Sequence, residues 1–327
     1  MKVVSFLSSF ALGAALATQA FAVDIDPALP PYKGSPVADA ATKAVGSDTL
    51  GDLMRIWADG FTKLNPNVKI EVDSKGSGTA PAALLDGTAQ LGPMSRPMRS
   101  EEYQALEKKY GYHPTSLPVA VDALAVYVNK DNPIECLTIE QLDRIFSKTH
   151  LYSGGKDVAT WGDAGMTGDW ASQPIHLFGR NGASGTHDTF VDAVLAHGEF
   201  KDSLKEEPGS AEVVKMVAGD KLAIGYSGIG YLTEGVRAVP LAATSADKCH
   251  DTSPGEAYSG SYPLSRYLYI YLNKAPAKPV DAAILEFLKY VVSRDGQIGT
   301  IKSGFYPVTN ATRLKDLSTF GVANDVN

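Results

Sequence analysis

Three similar turns constrain the fold of this chain more than any other feature of its sequence. Each follows a short apolar segment and precedes a segment with helical spacing: Gly46-Ser47-Asp48-Thr49, Gly76-Ser77-Gly78-Thr79 and Ala183-Ser184-Gly185-Thr186. A strand that runs through a turn into a helix is the repeating unit of α/β proteins. A helix N-terminus has unpaired N–H groups and about half a positive charge, so it attracts anions. Any one turn alone would be an ordinary N-cap, but three of them, with Arg180 before the third, predict an oxyanion site.

The rest of the chain also alternates between helix and strand patterns. Apolar residues recur at helical spacing in Leu50–Leu64, and Thr138–Phe146 has the pattern of a helix that begins with a capping box. Val119–Asn129 and Leu264–Leu272 are longer apolar runs that predict strands. We therefore expect an α/β fold with largely parallel sheets.

Residues 1–22 have the pattern of a secretory signal peptide. Lys2 provides a positive start, residues 3–18 are mostly apolar and small, and Ala20-Phe21-Ala22 fits a signal peptidase site. The apolar stretch is shorter than the roughly 20 residues that span a bilayer. We therefore expect cleavage after Ala22 and a periplasmic mature protein that begins with an extended, proline-rich arm over residues 23–36.

The composition excludes several classes of function. The 327 residues are 44% hydrophobic and 20% charged, which suits a globular protein of about two domains. The formal net charge is −7, so the chain has no overall attraction to nucleic acid or to an anionic membrane surface. The two cysteines, Cys136 and Cys249, either form one disulfide in an oxidising compartment or are two unrelated buried thiols.

Common enzyme motifs are missing from the sequence. There is no phosphate-binding P-loop, and Gly225-Tyr226-Ser227-Gly228 is followed by Ile229 where a nucleophile elbow requires glycine. The six histidines show no metal-ligand spacing. Ser184 and His187 are close in sequence, but we interpret His187 as a residue of the helix surface. We therefore expect a protein that is not an enzyme and that has neither a cofactor nor a metal.

Several motifs taken together resemble those of one family. They are the three turns above, Ser95-Arg96-Pro97-Met98, Arg180-Asn181-Gly182 and Tyr262-Pro263-Leu264-Ser265-Arg266. In this order they resemble the PstS-type phosphate-binding proteins of bacterial ABC transporters, over about residues 45–308. The resemblance implies the type II periplasmic-binding-protein fold. In that fold two α/β lobes each contain a mixed, largely parallel sheet flanked by helices, and the chain crosses between the lobes twice.

The resemblance also implies where the lobes divide and which partners they serve. A first crossing near Val119–Ala123 and a return near Tyr262–Arg266 would place residues 37–120 and 265–327 in lobe I and residues 123–262 in lobe II. The implied ligand is inorganic phosphate in the cleft between the lobes. The implied protein partners are the permease subunits of an ABC transporter in the inner membrane, and the implied state is a monomer with no nucleic-acid partner.

Carried over position by position, the resemblance implies these phosphate ligands: Thr49 and Leu50 through backbone N–H groups, Ser77, Ser95, Arg180, Ser184, Gly185 and Thr186. Some relatives also have an aspartate in the turn around Ser95, which accepts the proton of hydrogen phosphate, and an acid at the position of Gly182, which orients the arginine. This chain has neither. Asp122, an acid inside an apolar strand, is then the candidate proton acceptor. Its alternative role is a buried ion pair with Arg96 or Arg266.

Other functions are compatible with the same motifs. The cleft could bind a different oxyanion, such as sulfate, molybdate or phosphonate. An oxyanion site could also serve a secreted phosphatase, which would need a nucleophile with a base, or a metal. A role in cell-surface adhesion or scavenging, independent of transport, is a further alternative.

Overall fold

The structure is a computed structural model that describes residues 23–276 and 278–322. The predicted signal peptide, residues 1–22, therefore lies outside the described residues. Within the described ranges, strands alternate with helices along most of the chain. No helix there combines the length and the apolar character needed to cross a membrane.

The strands of the described residues are β1 (Ala40–Gly46), β2 (Val68–Ser74), β3 (Gly92–Met94), β4 (Thr115–Asn129), β5 (Leu137–Thr138), β6 (His176–Arg180), β7 (Lys205–Glu207), β8 (Ala223–Gly228), β9 (Val236–Ala238), β10 (Leu241–Ala242) and β11 (Ser265–Leu272). The α-helices are α1 (Gly51–Leu64), α2 (Thr79–Asp86), α3 (Ser100–Tyr110), α4 (Ile139–Phe146), α5 (Gly185–Ala193), α6 (Ser210–Gly219), α7 (Pro254–Ser259), α8 (Ala282–Val291), α9 (Arg294–Lys302) and α10 (Asn310–Ser318). The helices and strands expected above are therefore present, with ends that differ by a few residues.

The long strand β4 joins two halves of the structure. Its first part, from Thr115 to Ala123, pairs with β11, whereas the part from Leu124 to Val128 pairs with β8. The order of strands in this sheet is β3-β11-β4-β8-β6-β7, and β9 pairs with the end of β4. We call β1–β3 and β11 with their helices the first half, and β6–β8 with their helices the second half. Every residue of β4 from Val119 onward is buried, so β4 belongs to the core of both halves.

Strand direction differs between the crossing strands and the rest of the structure. The pairs β1–β2, β6–β7 and β6–β8 are parallel, as expected for strands joined through helices. In contrast, β4 pairs antiparallel with β11, β8 and β9. Because β11 brings the chain back along β4 in the opposite direction, the central sheet is mixed, and its parallel pairs lie away from the crossing strands.

Local side-chain hydrogen bonds account for the start of α4. Gln141 N donates to Thr138 Oγ1 at 3.0 Å, and Thr138 N donates to Gln141 Oε1 at 2.9 Å. This reciprocal pair satisfies two backbone donors that a helix start would otherwise leave unpaired. The capping box predicted from the sequence is thereby confirmed.

The arm over residues 23–36 has no regular helix or strand and lies against the C-terminal helices. Tyr32 N donates to Asp295 Oδ2 at 2.6 Å, and the Tyr32 hydroxyl donates to Glu286 Oε2 at 3.0 Å. Arg294 N donates to a proline carbonyl of the arm at 2.9 Å. These bonds attach the arm to the first half.

A disulfide joins Cys136 and Cys249, whose Cα atoms are 6.2 Å apart. Cys136 directly precedes β5, which pairs with β10. The two cysteines are separated by 113 positions in the sequence, so the bond closes a long loop. Of the two arrangements that the sequence left open, the structure has the bonded one. Closing a long loop restricts the unfolded chain and thereby stabilises the native state.

We expect the replacement of both cysteines by serine to lower the free energy of unfolding by about 2–5 kcal/mol, because the unfolded chain regains the entropy of the open loop. Denaturant titrations of the oxidised wild type and of the double variant measure the difference. Unreduced wild-type protein should show no free thiol after denaturation, and two free thiols would contradict the bond.

Candidate functional site

The predicted oxyanion site draws on both halves of the structure. In the first half, one turn connects β1 to α1 and a second, at Ser77, connects β2 to α2. Ser95 directly follows β3, also in the first half. In the second half, the turn at Ser184 connects β6 to α5. Each of these turns therefore places hydroxyl and backbone N–H groups at the end of a strand.

Two polar contacts join the turns across the halves. Gly78 N in the first half donates to Ala183 O in the second half at 3.0 Å. Thr49 Oγ1 in the first half lies 2.9 Å from Thr186 Oγ1 in the second half. The halves are therefore in contact at the site itself.

Gly185, at the start of α5, lies very close to two serines of the first half. A Cβ atom at this position would lie 2.4 Å from Ser77 Oγ and 2.7 Å from Ser95 Oγ. The two serine hydroxyl oxygens are 3.1 Å apart, and Ser95 N donates to Ser77 Oγ at 2.9 Å. Only glycine lets the backbone of α5 come this near to the two serines.

The structure brings the predicted ligand positions together in a buried region. Those positions, all of them buried, are Thr49, Leu50, Ser77, Ser95, Arg180, Ser184, Gly185 and Thr186. Some of the predicted donors already have protein partners here: Leu50 N donates to Ser47 Oγ at 3.3 Å, and Thr186 N donates to Ser184 Oγ at 3.1 Å. Binding of an oxyanion through these groups would exchange such bonds for bonds to the ligand.

Residues of both halves hold Arg180. Its Nη2 forms an ion pair with Asp48 Oδ2 at 2.7 Å and donates to Pro208 O at 3.0 Å, and its Nη1 donates to Ser210 Oγ at 2.8 Å. Asp48 is thus an acid of the first half that pairs with this arginine of the second half. Arg180 Nε is buried and has no hydrogen-bond partner among the described residues.

Asp122 and Arg266 form a second ion pair beside the site. They are cross-strand neighbours in the register of β4 and β11, and Arg266 donates to Asp122 Oδ2 from Nε at 2.9 Å and from Nη2 at 2.8 Å. Arg266 Nη2 also donates to Thr186 Oγ1 at 2.8 Å. Burial lowers the pKa of Arg266, and the carboxylate of Asp122 acts in the opposite direction. Of the two roles expected for Asp122, the structure shows the ion pair with Arg266, and Arg266 is a second arginine at the site.

A third group of charges joins the halves at the edge of the site. Asp188 in α5 pairs with Arg96 Nε at 2.6 Å and with Arg99 Nη2 at 2.8 Å, and Arg96 also pairs with Glu102 at 2.8 Å. Burial acts to raise the pKa of Asp188, but the hydrogen bond with His187 and the charges of the two arginines outweigh it, and the pKa is lowered. The charged carboxylate therefore holds α5 against the first half.

The donor set of the site suits an anion rather than a metal. Across residues 23–276 and 278–322, no three His, Cys, Asp or Glu side chains are grouped in a way that could hold a metal ion. The site offers hydroxyl and backbone N–H donors near helix N-termini, together with the guanidinium groups of Arg180 and Arg266 from strands β6 and β11. Such donors bind oxyanions.

Comparison with known proteins identifies the family. The model of the PBP superfamily domain matches residues 32–295. A Pseudomonas aeruginosa protein named phosphate-binding protein PstS is 48% identical over 322 residues, which cover 98% of both chains. The chain belongs to the PstS family. This membership confirms the resemblance inferred from the turn motifs.

Solved structures show that the PstS-family fold extends over most of the chain. A phosphate ABC transporter substrate-binding protein from Clostridium perfringens matches with a TM-score of 0.68 and 24% identity, covering 82% of this chain and 100% of that one. An ABC-type phosphate transport receptor from Vibrio cholerae matches with a TM-score of 0.64 and 21% identity over the same shares of the two chains. The fold is therefore the type II periplasmic-binding-protein fold, as expected.

Sequence reasoning missed two charged residues of this PstS-family site, Asp48 and Asp188. Asp48 is the single acid within the three turns, which is a signal that could have suggested it as the partner of Arg180. His187, interpreted from the sequence as a residue of the helix surface, is instead partly buried, and its ring centroid lies 5.2 Å from that of Phe200.

We expect Gly185→Ala to weaken oxyanion binding, because the added methyl group collides with Ser77 and Ser95 when the halves meet. Overpacking of a close contact costs about 1–3 kcal/mol, which corresponds to a roughly 5- to 150-fold weaker dissociation constant. Calorimetric titration with inorganic phosphate as the probe measures the change.

The matched control is Gly182→Ala in the same turn, where an added Cβ meets no heavy atom within 4 Å. This variant should keep the wild-type dissociation constant. Equal losses in the two variants would show that the close approach of Gly185 is not the cause.

A second prediction concerns the ion pairs of Asp188. Asp188→Asn removes the charge that Arg96 and Arg99 share, so we expect roughly tenfold weaker anion binding through loss of a charged hydrogen bond. The pKa of Asp188 is lowered in the folded state, so its charge contributes fully to the contact between α5 and the first half at a pH above the ordinary pKa of 3.8. This contribution is lost as the pH falls below that value. Dissociation constants of wild type and variant should converge as the pH is lowered through this range, and a constant ratio would contradict the role of the charge.

Proposed function

We propose that this protein binds inorganic phosphate in a cleft between two lobes and delivers it to an ABC-type phosphate permease. The observation that carries the proposal is the meeting of Gly/Ser/Thr turns from both halves around the buried Arg180. The relative from Pseudomonas aeruginosa, which is 48% identical over nearly the whole chain, is named a phosphate-binding protein, and this supports the same ligand here.

The proposed phosphate ligands are the backbone N–H groups of Thr49 and Leu50 together with Ser77, Ser95, Arg180, Ser184, Gly185 and Thr186. Most of these donors are neutral. The charge of Arg180 is balanced by Asp48 at 2.7 Å, and that of Arg266 by Asp122 at 2.8 Å. Phosphate would therefore be bound mainly by hydrogen bonds from neutral hydroxyl and backbone N–H groups.

The proposed lobes are residues 37–120 with 265–327, and residues 123–262. The change of β4 from β11 to β8 between Ala123 and Leu124 supports this division. A ligand can reach a buried site between two lobes only when the lobes separate, so phosphate binding should close them. The buried contact of Gly185 with Ser77 is then a feature of the closed form.

We also propose the location and state of the mature protein. The signal peptide is cleaved after Ala22, and the protein acts as a monomer in the periplasm, with the permease subunits of the inner membrane as partners. The disulfide between Cys136 and Cys249 supports an oxidising compartment.

The alternatives have weaker support in the geometry of the site. A different oxyanion would fit the neutral donors, and titration with several anions decides between them. For a secreted phosphatase, the pair of Ser184 and His187 is the nearest candidate. However, Ser184 Oγ accepts a hydrogen bond from Thr186 N at 3.1 Å, and His187 Nδ1 lies 3.3 Å from Asp188 Oδ1. This arrangement therefore does not support a serine nucleophile activated by His187.

Calorimetric titration of ligand-free protein with phosphate, arsenate and sulfate tests the proposal. We expect tight binding of phosphate, weaker binding of sulfate, and compaction in solution scattering on addition of phosphate. Arg180→Lys should weaken phosphate binding by roughly 10- to 150-fold, since one ammonium group cannot hold the partners of the guanidinium and also donate to the ligand.

Arg144→Lys is the control, because Arg144 lies in α4 and its Nε donates to Glu140 O within the same helix. It should leave the phosphate dissociation constant unchanged. Absence of phosphate binding by the wild type would contradict the proposal. Phosphate binding that is unchanged in Arg180→Lys would contradict the assignment of Arg180.

A further inference from the structure

Tyr231 reaches from the second half to the first of the three turns. It ends a short 3₁₀ turn, Ile229–Tyr231, that directly follows β8. Its hydroxyl oxygen lies 3.0 Å from Asp48 O and 3.2 Å from Thr49 O and donates to these carbonyls, which are close enough to share its one proton. Tyr231 is not one of the proposed phosphate ligands, so its contact with the turn has a different role.

The two carbonyls belong to the peptide units whose N–H groups are proposed to bind phosphate. The Asp48 carbonyl shares its peptide bond with Thr49 N, and the Thr49 carbonyl shares its peptide bond with Leu50 N. In a planar trans peptide the C=O and N–H groups point in opposite directions. Tyr231 therefore holds both peptide units from the side opposite to the one on which they offer their N–H groups.

The 3₁₀ turn that carries Tyr231 is fixed by contacts outside the site. Ile229 N donates to Asp122 Oδ1 at 2.9 Å, so the turn begins against the crossing strand β4. A Cβ atom at Gly230 would lie 2.6 Å from Ser303 O, and only glycine allows this approach to the end of α9. The position of the Tyr231 hydroxyl is thus set by the fold and not by the turn that it contacts.

The Tyr231 hydroxyl acts as a donor at neutral pH. Burial raises its pKa, and the carboxylates of Asp52 and Asp48 act in the same direction. Hydrogen bonds in a chain polarise one another, so a donor on a carbonyl makes the N–H of the same peptide unit a stronger donor. An anion on the N–H side strengthens the bond to Tyr231 in return, because coupling between two contacts is reciprocal.

We propose that Tyr231 is a positioning residue of the oxyanion site, which orients and polarises the N–H groups of Thr49 and Leu50 through the carbonyls of their peptide units. The proposal rests on the proposed function of phosphate binding, and it adds a residue that sets the affinity of the site. Any oxyanion that accepts from these two N–H groups is affected. Tyr231 should therefore change how tightly such anions bind, and leave their order of preference as it is.

The test replaces Tyr231 by phenylalanine, which removes the hydroxyl and keeps the ring, whose centroid lies 6.4 Å from that of Phe305. We expect Tyr231→Phe to bind phosphate about 3- to 10-fold more weakly in calorimetric titration, which is the effect of losing one neutral hydrogen bond. Arsenate offers the same acceptor oxygens, so its binding should weaken by a similar factor. An unchanged phosphate dissociation constant overturns the proposal.

Tyr258→Phe is the matched control, since the Tyr258 hydroxyl also donates to a backbone carbonyl of the other proposed lobe. Tyr258 lies in α7 and donates to Pro307 O at 2.7 Å, a carbonyl outside the three turns. This variant loses the same kind of hydrogen bond but should keep the wild-type dissociation constant for phosphate. Equal weakening in Tyr231→Phe and Tyr258→Phe would reflect contact between the lobes in general, and it would overturn the positioning role.

Amide chemical shifts give a local readout that a merely structural role of Tyr231 would not move. On saturation with phosphate, the N–H protons of Thr49 and Leu50 should shift downfield by less in Tyr231→Phe than in the wild type. Those of Gly185 and Thr186, in the second half, should shift by the same amount in both proteins. Equal changes at all four amides overturn the proposal.

The same measurements separate this inference from the proposed function. If the wild type does not bind phosphate, the proposed function itself fails. If the wild type binds phosphate and Tyr231→Phe keeps both its affinity and its amide shifts, the role of Tyr231 alone is refuted.

Discussion

The arrangement of the site depends on one strand that both halves share. β4 forms backbone hydrogen bonds with β11 on one side of the Ala123–Leu124 junction and with β8 on the other. Under the lobe division proposed above, each half would move as a unit about this junction while the hydrogen bonds on both sides are kept. The turns with Ser77 and Ser95 belong to one half and Gly185 to the other, so a modest rotation at β4 would separate or assemble the donors without unfolding either half.

Burial of charge is the second constraint, and the site meets it by pairing. Arg180 and Asp122 have no exposed side-chain surface, and their partners Asp48 and Arg266 are 11% and 7% exposed. An unpaired charge in such a place would cost several kcal/mol. The Asp122–Arg266 pair is formed by neighbouring strands and persists with the sheet. The Asp48–Arg180 pair joins the two halves and depends on their contact.

Features of the site that are local in sequence could be predicted from the sequence. The turns, the helices that follow them and the capping box at Thr138 each depend on residues only a few positions apart. Pairing between distant residues could not be predicted, because it depends on tertiary arrangement. Asp122 had two candidate partners, and only the register of β4 against β11 places Arg266 opposite it. Arg96, the other candidate, contacts Asp188 instead.

The position of the acid that holds the arginine has a mechanistic consequence. An acid in the same turn as Arg180, at the position of Gly182, would orient the guanidinium whether or not the halves are in contact. In this chain the acid is Asp48 of the first half, so the orientation of Arg180 is completed only when the halves meet. With the halves apart, Arg180 would keep its uncompensated positive charge and attract an entering anion over several ångströms. On closure Asp48 would balance that charge, and a bound anion would then be held by short-range hydrogen bonds, whose geometry depends on the chemistry of the anion.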